Sequence, residues 1–429
     1  MTRLPALLAA AAALAIAAPA VAQDFAITHA TVALGDGSEP IADATLVVRG
    51  GKVAAVGRGV AVPQGVEQID GTGKWVTPGL FSALTDLGLY DVDAVDQSRD
   101  ISADKSIFSA ALDIAPVVNP LAQNIKVSRA GGVTRASVFP RSGNAIFAGQ
   151  GAVIDLGSDS EPVVKPRAFQ YVELGEGGGG LAGGSRTAAH VTLRNALAEA
   201  QDLASRGGRN DDALLNRPDA AALIPVVEGR QPLYVHVERA ADILAALKLR
   251  QDFPKLDLVL AGASEGWMVA KEISAAKVPV IANALNDLPA QFEQLAATQS
   301  NAGRMHDAGV KVAIGRFFDM NQPRYAPQQA GNLVALTKLP GASGLSWGEA
   351  FAAISSVPAE ISGMPGMGVL KPGATGDVVI WDGDPLELST APMRVFVDGV
   401  EQPLESHQTK LRDRYLTPQE GALPKAYDW

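Results

Sequence analysis

The stretch WVTPGLFSALTDLGLYDVDAVD, residues 75–96, decides how the chain is read. Trp75 to Thr77 is an extended segment stopped by Pro78-Gly79, a turn pair. Leu80 then opens a short apolar-rich alternation that ends near Leu84, the signature of a half-buried strand. After Asp86 the pattern gives way to the acidic segment DVDAVDQSRD, residues 91–100. Two kinds of pattern therefore meet at residue 78.

Upstream, residues 24–57 read as short strands separated by Gly-Asp-Gly and Gly-Gly turns, and residues 368–400 repeat that style with DVVIW and RVFVDG as strands. One small β-sandwich built from both termini accounts for the two segments. Downstream, strand-like segments end near Leu84, Val138, Ile154, Val172, Val237, Leu260, Ile281 and Ile314. Helical patterns lie between several of them, at residues 241–253, 267–277 and 300–309. Eight strands alternating with helices fit an α/β fold, a (β/α)8 TIM barrel of about 250 residues. The expected organisation is 23–77 plus 366–404 for the sandwich, 78–365 for the barrel and 405–429 for a tail. The run GEGGGGLAGG at 175–184 lacks the Lys-Ser/Thr of a phosphate loop and reads as a flexible barrel loop.

Residues 1–22 carry one cation, Arg3, an apolar run and a small-x-small site at Ala20-Val21-Ala22. That is the pattern of a secretory signal, so the expected compartment is the periplasm. The chain has no cysteine, which removes disulfides, thiolate chemistry and a lipid-anchoring cysteine. A net charge of −10 with no basic run argues against nucleic acid and anionic membrane as partners.

The order and spacing of residues 43–57, 75–88, 130–154, 234–249 and 368–385 resemble the amidohydrolase superfamily, its exported imidazolonepropionase-like branch. The resemblance implies a barrel that hydrolyses C–N bonds with one or two divalent metals such as zinc. It implies two histidines from strand 1, a carboxylated lysine or glutamate from strand 4, histidines from strands 5 and 6, and an aspartate from strand 8. A bound metal lowers the pKa of water from 15.7 to about 7, and the aspartate handles the proton.

On this chain the motif positions read differently. The strand 1 histidines fall on Leu84 and Asp86, and the strand 4 ligand falls within the glycine run, at Gly179. Strand 5 keeps His236, followed by Val237, Glu238 and Arg239. The strand 6 histidine is Gly262, ahead of Ser264 and Glu265. The strand 8 aspartate is Phe317, with Arg316 before it and Asp319 two residues on. Of five histidines (29, 190, 236, 306 and 407) only His236 falls at a barrel strand end.

Asp86, His236 and Glu238 could still supply three ligands to one metal; the alternative is a charged pocket cluster with Arg239 and Arg316. Forfeiting about 8 to 9 units of water pKa amounts to roughly 12 kcal/mol, which one general base does not recover. No cofactor is therefore expected, and the chain reads as a degenerate pseudoenzyme. A residual one-metal hydrolase and a small-molecule-binding barrel are the alternatives. Pocket candidates are Asp86, His236, Glu238, Arg239, Glu265, Arg316 and Asp319. In residues 139–154, Arg141, Asn144 and Gln150 are candidate mouth donors, with Gly143, Gly149 and Gly151 permitting tight turns. Partner expectations follow from the family's habit of association: a homo-oligomer, or a hetero-oligomer with an active amidohydrolase paralogue.

Overall fold

Strands β1 (Phe25–Val32), β2 (Ile41–Arg49), β3 (Lys52–Gly57), β4 (Glu67–Asp70) and β5 (Trp75–Pro78) form before the barrel begins. The structure, a computed structural model, describes residues 22–207, 211–318 and 322–416. The expected signal sequence up to residue 21, Asp319 and the tail from residue 417 lie outside the described residues. Among the described residues no helix is long and apolar enough to cross a membrane.

The barrel is made by β6 (Leu80–Thr85), β7 (Val133–Val138), β8 (Phe147–Asp155), β9 (Val163–Glu173), β10 (Leu233–Val237), β11 (Leu258–Gly262), β12 (Val280–Ala282) and β13 (Val312–Phe317). These eight strands close on themselves, and their ends fall within a few residues of those expected. Alternation supplies two cores. Phe81, Phe169, Tyr171, Tyr234, Ile281 and Ala313 fill the interior, where the Phe169 and Tyr234 rings stack at 4.1 Å. Leu80, Val235, Leu258, Val280 and Ile314 face outward to the helices. The interior is thus packed, not a pore.

One strand departs from the expected parallel pattern. β8 is antiparallel to both β7 and β9. No crossover helix separates β7, β8 and β9, and links of a few residues permit only hairpin returns. β7 and β9 consequently deliver their C-terminal ends to the mouth, whereas β8 starts there.

The remaining strands, β14 (Val378–Trp381), β15 (Pro392–Val397) and β16 (Val400–Glu401), return to the N-terminal segment. β14 pairs antiparallel with β5, so strands from the two terminal regions share one sheet. That sheet is continuous in the order β16-β15-β14-β5-β1-β2-β3, with β4 beside β1, and is not two separate sheets. Phe25 on β1 and Phe396 on β15 are three strands apart, about 14 Å if flat. Their rings stack at 4.3 Å, so the sheet curls around its own core and does the work expected of a sandwich.

Arg135 on β7 locks the barrel to this sheet. It is buried and donates to Asp377 through Nε and Nη2, at 2.7 and 3.0 Å, with Asp398 2.7 Å away. Asp155, at the end of β8, lies 3.8 Å from the same guanidinium. Burial pushes the Asp155 carboxyl up to about 6 despite that neighbour.

The glycine run is a correction to the sequence reading. After α1 (Gln123–Ala130), residues Gly175–Leu181 form helix α2, not a flexible loop. Glycine is a poor helix former, and tertiary contact overrides it here. A Cβ on Gly178 would lie 2.3 Å from the Glu173 carbonyl oxygen, and one on Gly179 would lie 3.0 Å from the Arg186 nitrogen. The helix therefore docks on the end of β9 and the start of α3 (Arg186–Arg206) as closely as a bare backbone allows.

Candidate functional site

The mouth is built from the ends of β9, β10 and β13. Tyr234 points into the barrel and Val235 and Val237 point out, so alternation sends His236 inward. His236 Nδ1 meets the carboxylate of Glu173, the last residue of β9, and its Nε2 lies 2.9 Å from Glu238 Oε1. Arg316 Nη1 donates to the same Glu238 oxygen at 2.5 Å. The other Glu238 oxygen accepts from the Ser264 N–H at 2.9 Å and the Ser264 hydroxyl at 2.7 Å.

Burial and the Arg316 charge oppose protonation of His236, but the Glu173 and Glu238 carboxylates outweigh them and hold its pKa up at about 9. The ring is an imidazolium between two acids. Burial alone would raise Glu238; hydrogen bonds and the charges of His236 and Arg316 keep it well below the usual carboxylate range. Two cations and two carboxylates are thus fixed at the centre of the mouth.

Gly262 makes that arrangement fit. Its φ is +90°, and a Cβ there would lie 2.5 Å from Glu238 Oε1 and 2.6 Å from Arg316 Nη1. The position where the family resemblance implies a histidine is spatially taken by the ion pair. Leu84 is fully buried in the barrel interior at φ +56°, its N–H donating to Ser137 Oγ at 2.8 Å. Phe317 packs into the outer core; the strand 8 side chain that enters the mouth is Arg316, turned in by a φ of +67°. Leu84, Ala263 and Arg316 all hold positive φ at strand ends. Non-glycine residues hold such conformations only where the surroundings enforce them.

A second pair lies beside the first. Arg141 Nη2 donates to Asp86 Oδ2 at 2.6 Å and to the Phe318 carbonyl at 3.1 Å. The Arg141 and Arg316 guanidinium carbons stand 5.0 and 5.5 Å from the centroid of the Phe318 ring. Asp86 is 2% exposed, and burial lifts its pKa against the pull of Arg141.

Several expected site residues lie elsewhere. Arg239 donates to Asp242 at 2.9 Å, and Glu265 accepts the backbone N–H groups of Ala240 and Ala296; both brace helix and loop starts. Asn144 ties its loop to the Ser106 carbonyl at 2.9 Å. Gln150, with Gly149 and Gly151, is within β8 and not in a mouth turn. Gly179 is a helix residue beyond the strand 4 end, and Glu173 occupies that end. Glu173 is absent from the sequence candidates because the family's strand 4 motif falls on the glycine run that follows it. The signal was the alternation AFQYVE, which carries a carboxylate out on the strand's inward face.

These residues do not fit the metal pair that the family resemblance implies. Both His236 nitrogens face carboxylates, Arg316 already neutralises Glu238, and Asp86 is drawn to Arg141. Among the described residues, no group of three or more His, Asp or Glu side chains is placed to hold a metal ion.

No family model matches the chain. A curated relative, amidohydrolase tasK of Hapsidospora irregularis, is 24% identical over 378 residues, covering 80% of this chain and 38% of the relative. The chain thus spans about two fifths of the length of that relative. Among solved structures, an amidohydrolase from Thermotoga maritima superposes with a TM-score of 0.77 at 24% identity, over 88% of this chain and 99% of that one. An adenosine deaminase from Xanthomonas campestris with bound zinc superposes with a TM-score of 0.51 at 14% identity, over 89% and 93%.

Proposed function

From the premise that the chain has the fold of the amidohydrolase superfamily, we propose that it is an exported member without metal-dependent hydrolysis, acting as a support subunit for an active relative. The observation that carries this reading is the ion pair Glu238–Arg316 standing where Gly262 leaves room. A guanidinium supplies positive charge to the mouth but has no coordination sphere and generates no hydroxide. The His236 imidazolium has no free nitrogen to act as a base.

The partner half of the proposal rests on the rim. Between β12 and β13, Leu288, Phe292 and Leu295 are 75, 81 and 65% exposed. Large apolar side chains grouped on one loop suit burial against another chain.

Elemental analysis of the purified protein after zinc incubation and desalting tests the first half. The expected result is no stoichiometric metal; about one tight metal per chain, lost on His236→Ala, refutes it. Affinity purification of a tagged copy from its native compartment tests the second, and recovery of the monomer alone counts against it.

A further inference from the structure

We propose that residues 283–300, which join β12 to the helix Asn301–Asp307, are a strap that gates the mouth, latched shut by Glu293 and opening as a unit. The inner contacts of this loop carry the gate; the outer apolar side chains that suit a partner play no part in it.

In the closed barrel β12 stands three strands from β9, in the order β9-β10-β11-β12, about 14 Å round the rim. The strap crosses that distance. Asn286 Nδ2 donates to Ser264 Oγ at 3.1 Å, just past the end of β11. Farther on, Glu293 Oε2 accepts the Glu176 N–H at 2.7 Å and Arg186 Nη2 at 3.2 Å, on the segment that follows β9. The chain then returns. The Ala296 N–H donates to Glu265 Oε1 at 3.1 Å, and the Ala296 carbonyl accepts Trp267 Nε1 at 2.8 Å. The strap therefore lies over the ends of β10 and β11, and Glu238 and Ser264 beneath it are 1 and 3% exposed.

What holds the strap is polar. Of the described residues 285–299, Glu293 alone is buried, at 3% exposed, while Leu285, Leu288, Phe292 and Leu295 are 41 to 81% exposed. A free loop would turn its phenyl ring inward and its carboxylate to water; here the order is reversed because the carboxylate has partners inside. Burial raises the Glu293 carboxyl against the pull of the Glu176 N–H, the His236 charge and Arg186. Holding the ionised carboxylate in place therefore costs free energy, and opening returns it to water. A segment with no buried apolar side chain and a costly polar anchor belongs to the part of a fold that opens locally.

The two legs of the strap are tied to each other. The Gln299 N–H donates to Asp287 Oδ1 at 3.4 Å, so residues 287–299 form a compact loop with its ends close. Such a loop swings on its feet. Opening uncovers Ser264 and the Glu238 carboxylate to small molecules and leaves the strands in place.

The chain has no cysteine, so Ser264→Cys places a single reporter thiol under the strap. Its reaction with 5,5′-dithiobis(2-nitrobenzoate) is followed on the full chain. In the folded protein the thiol is expected to react at least about a hundredfold more slowly than in urea-unfolded chain. Adding Glu293→Ala or Arg186→Gln is expected to speed the folded-state reaction about tenfold, with circular dichroism unchanged. Arg194→Gln, which breaks the exposed pair with Asp252 elsewhere on α3, is expected to leave the rate unchanged. Where Ser264→Cys fails to fold, hydrogen exchange at the Ser264 and Ala296 amides gives the same comparison, and Glu293→Ala is expected to speed both about tenfold. A rate that neither Glu293→Ala nor Arg186→Gln raises overturns the gate. So does a folded-state thiol as reactive as the unfolded one, or a rise that appears only with loss of the circular dichroism signal.

Discussion

Gly262 and Gly180 are both glycines of the barrel's upper half, yet a methyl group at each has opposite consequences. At Gly262 the left-handed backbone and the two charged atoms within 2.6 Å leave no room. Gly262→Ala is expected to destabilise by about 2–4 kcal/mol in urea denaturation, and it should also break the Glu238–Arg316 pair. At Gly180, inside α2, a Cβ would meet nothing within 4 Å. Gly180→Ala is expected to stabilise by about 0.4–1 kcal/mol, because it restricts the unfolded chain and improves helix propensity. His236 gives a pH test. Its folded pKa of about 9 exceeds the ordinary 6.5, so its contribution is fully present below about 6.5 and lost as pH rises through about 9. Melting temperature is expected to fall across that window, by up to roughly 3 kcal/mol in stability, and His236→Gln should flatten the fall. A parallel decline in the two proteins would remove His236 as its source. The sequence located His236 and Glu238 because period-2 alternation names inward residues, and it offered Arg316 as a pocket candidate; that Arg316 turns into the mouth while Phe317 turns out depends on a φ of +67° that no pattern encodes.

At the level of elements, the joint between barrel and sheet concentrates three carboxylates on one guanidinium. Arg135 serves Asp377 and Asp398 directly, which leaves Asp155 buried with partial compensation. Its folded pKa of about 6 lies above the ordinary 3.8, so protonated Asp155 favours the fold, and that contribution is lost as pH rises through about 6. Asp155→Asn is therefore expected to stabilise by about 1–2 kcal/mol at pH above 7, with the gain vanishing below about 4. Denaturation at the two pH values checks it; an unchanged difference between them would mean that Asp155 is not the titrating group. The hairpin ending at Asp155 also marks where sequence reading reached its limit. Strand positions were legible from hydrophobic runs and turn residues, but a run reads the same in both directions. Only the short links on either side of β8 fix it as antiparallel.

For the molecule as a whole, the fold is expected not to depend on a central ion. Leu84 and Phe317 are buried in apolar surroundings, and the Arg316 charge is matched by Glu238. Melting with and without a strong chelator is expected to coincide within about a degree, and a fall of more than a few degrees would show a structural metal. The exposed rim loop carries the association proposal, and a hydrophobic-to-charge change at Phe292 is expected to weaken self- or partner association without altering the melting temperature. Sedimentation at several concentrations reads the first outcome.

Sequence by itself determined the barrel and terminal sheet, through the spacing of turns and apolar runs, and it identified which ligand positions carry side chains with no donor. Those are local properties: a leucine side chain has no donor atom for a metal in any fold. Tertiary structure decided what replaced the ligands. Glu173, His236, Glu238 and Arg316 come from three strands, and their charges meet only when the barrel closes. Likewise, a run of glycines became a helix because Glu173 and Arg186 press on it.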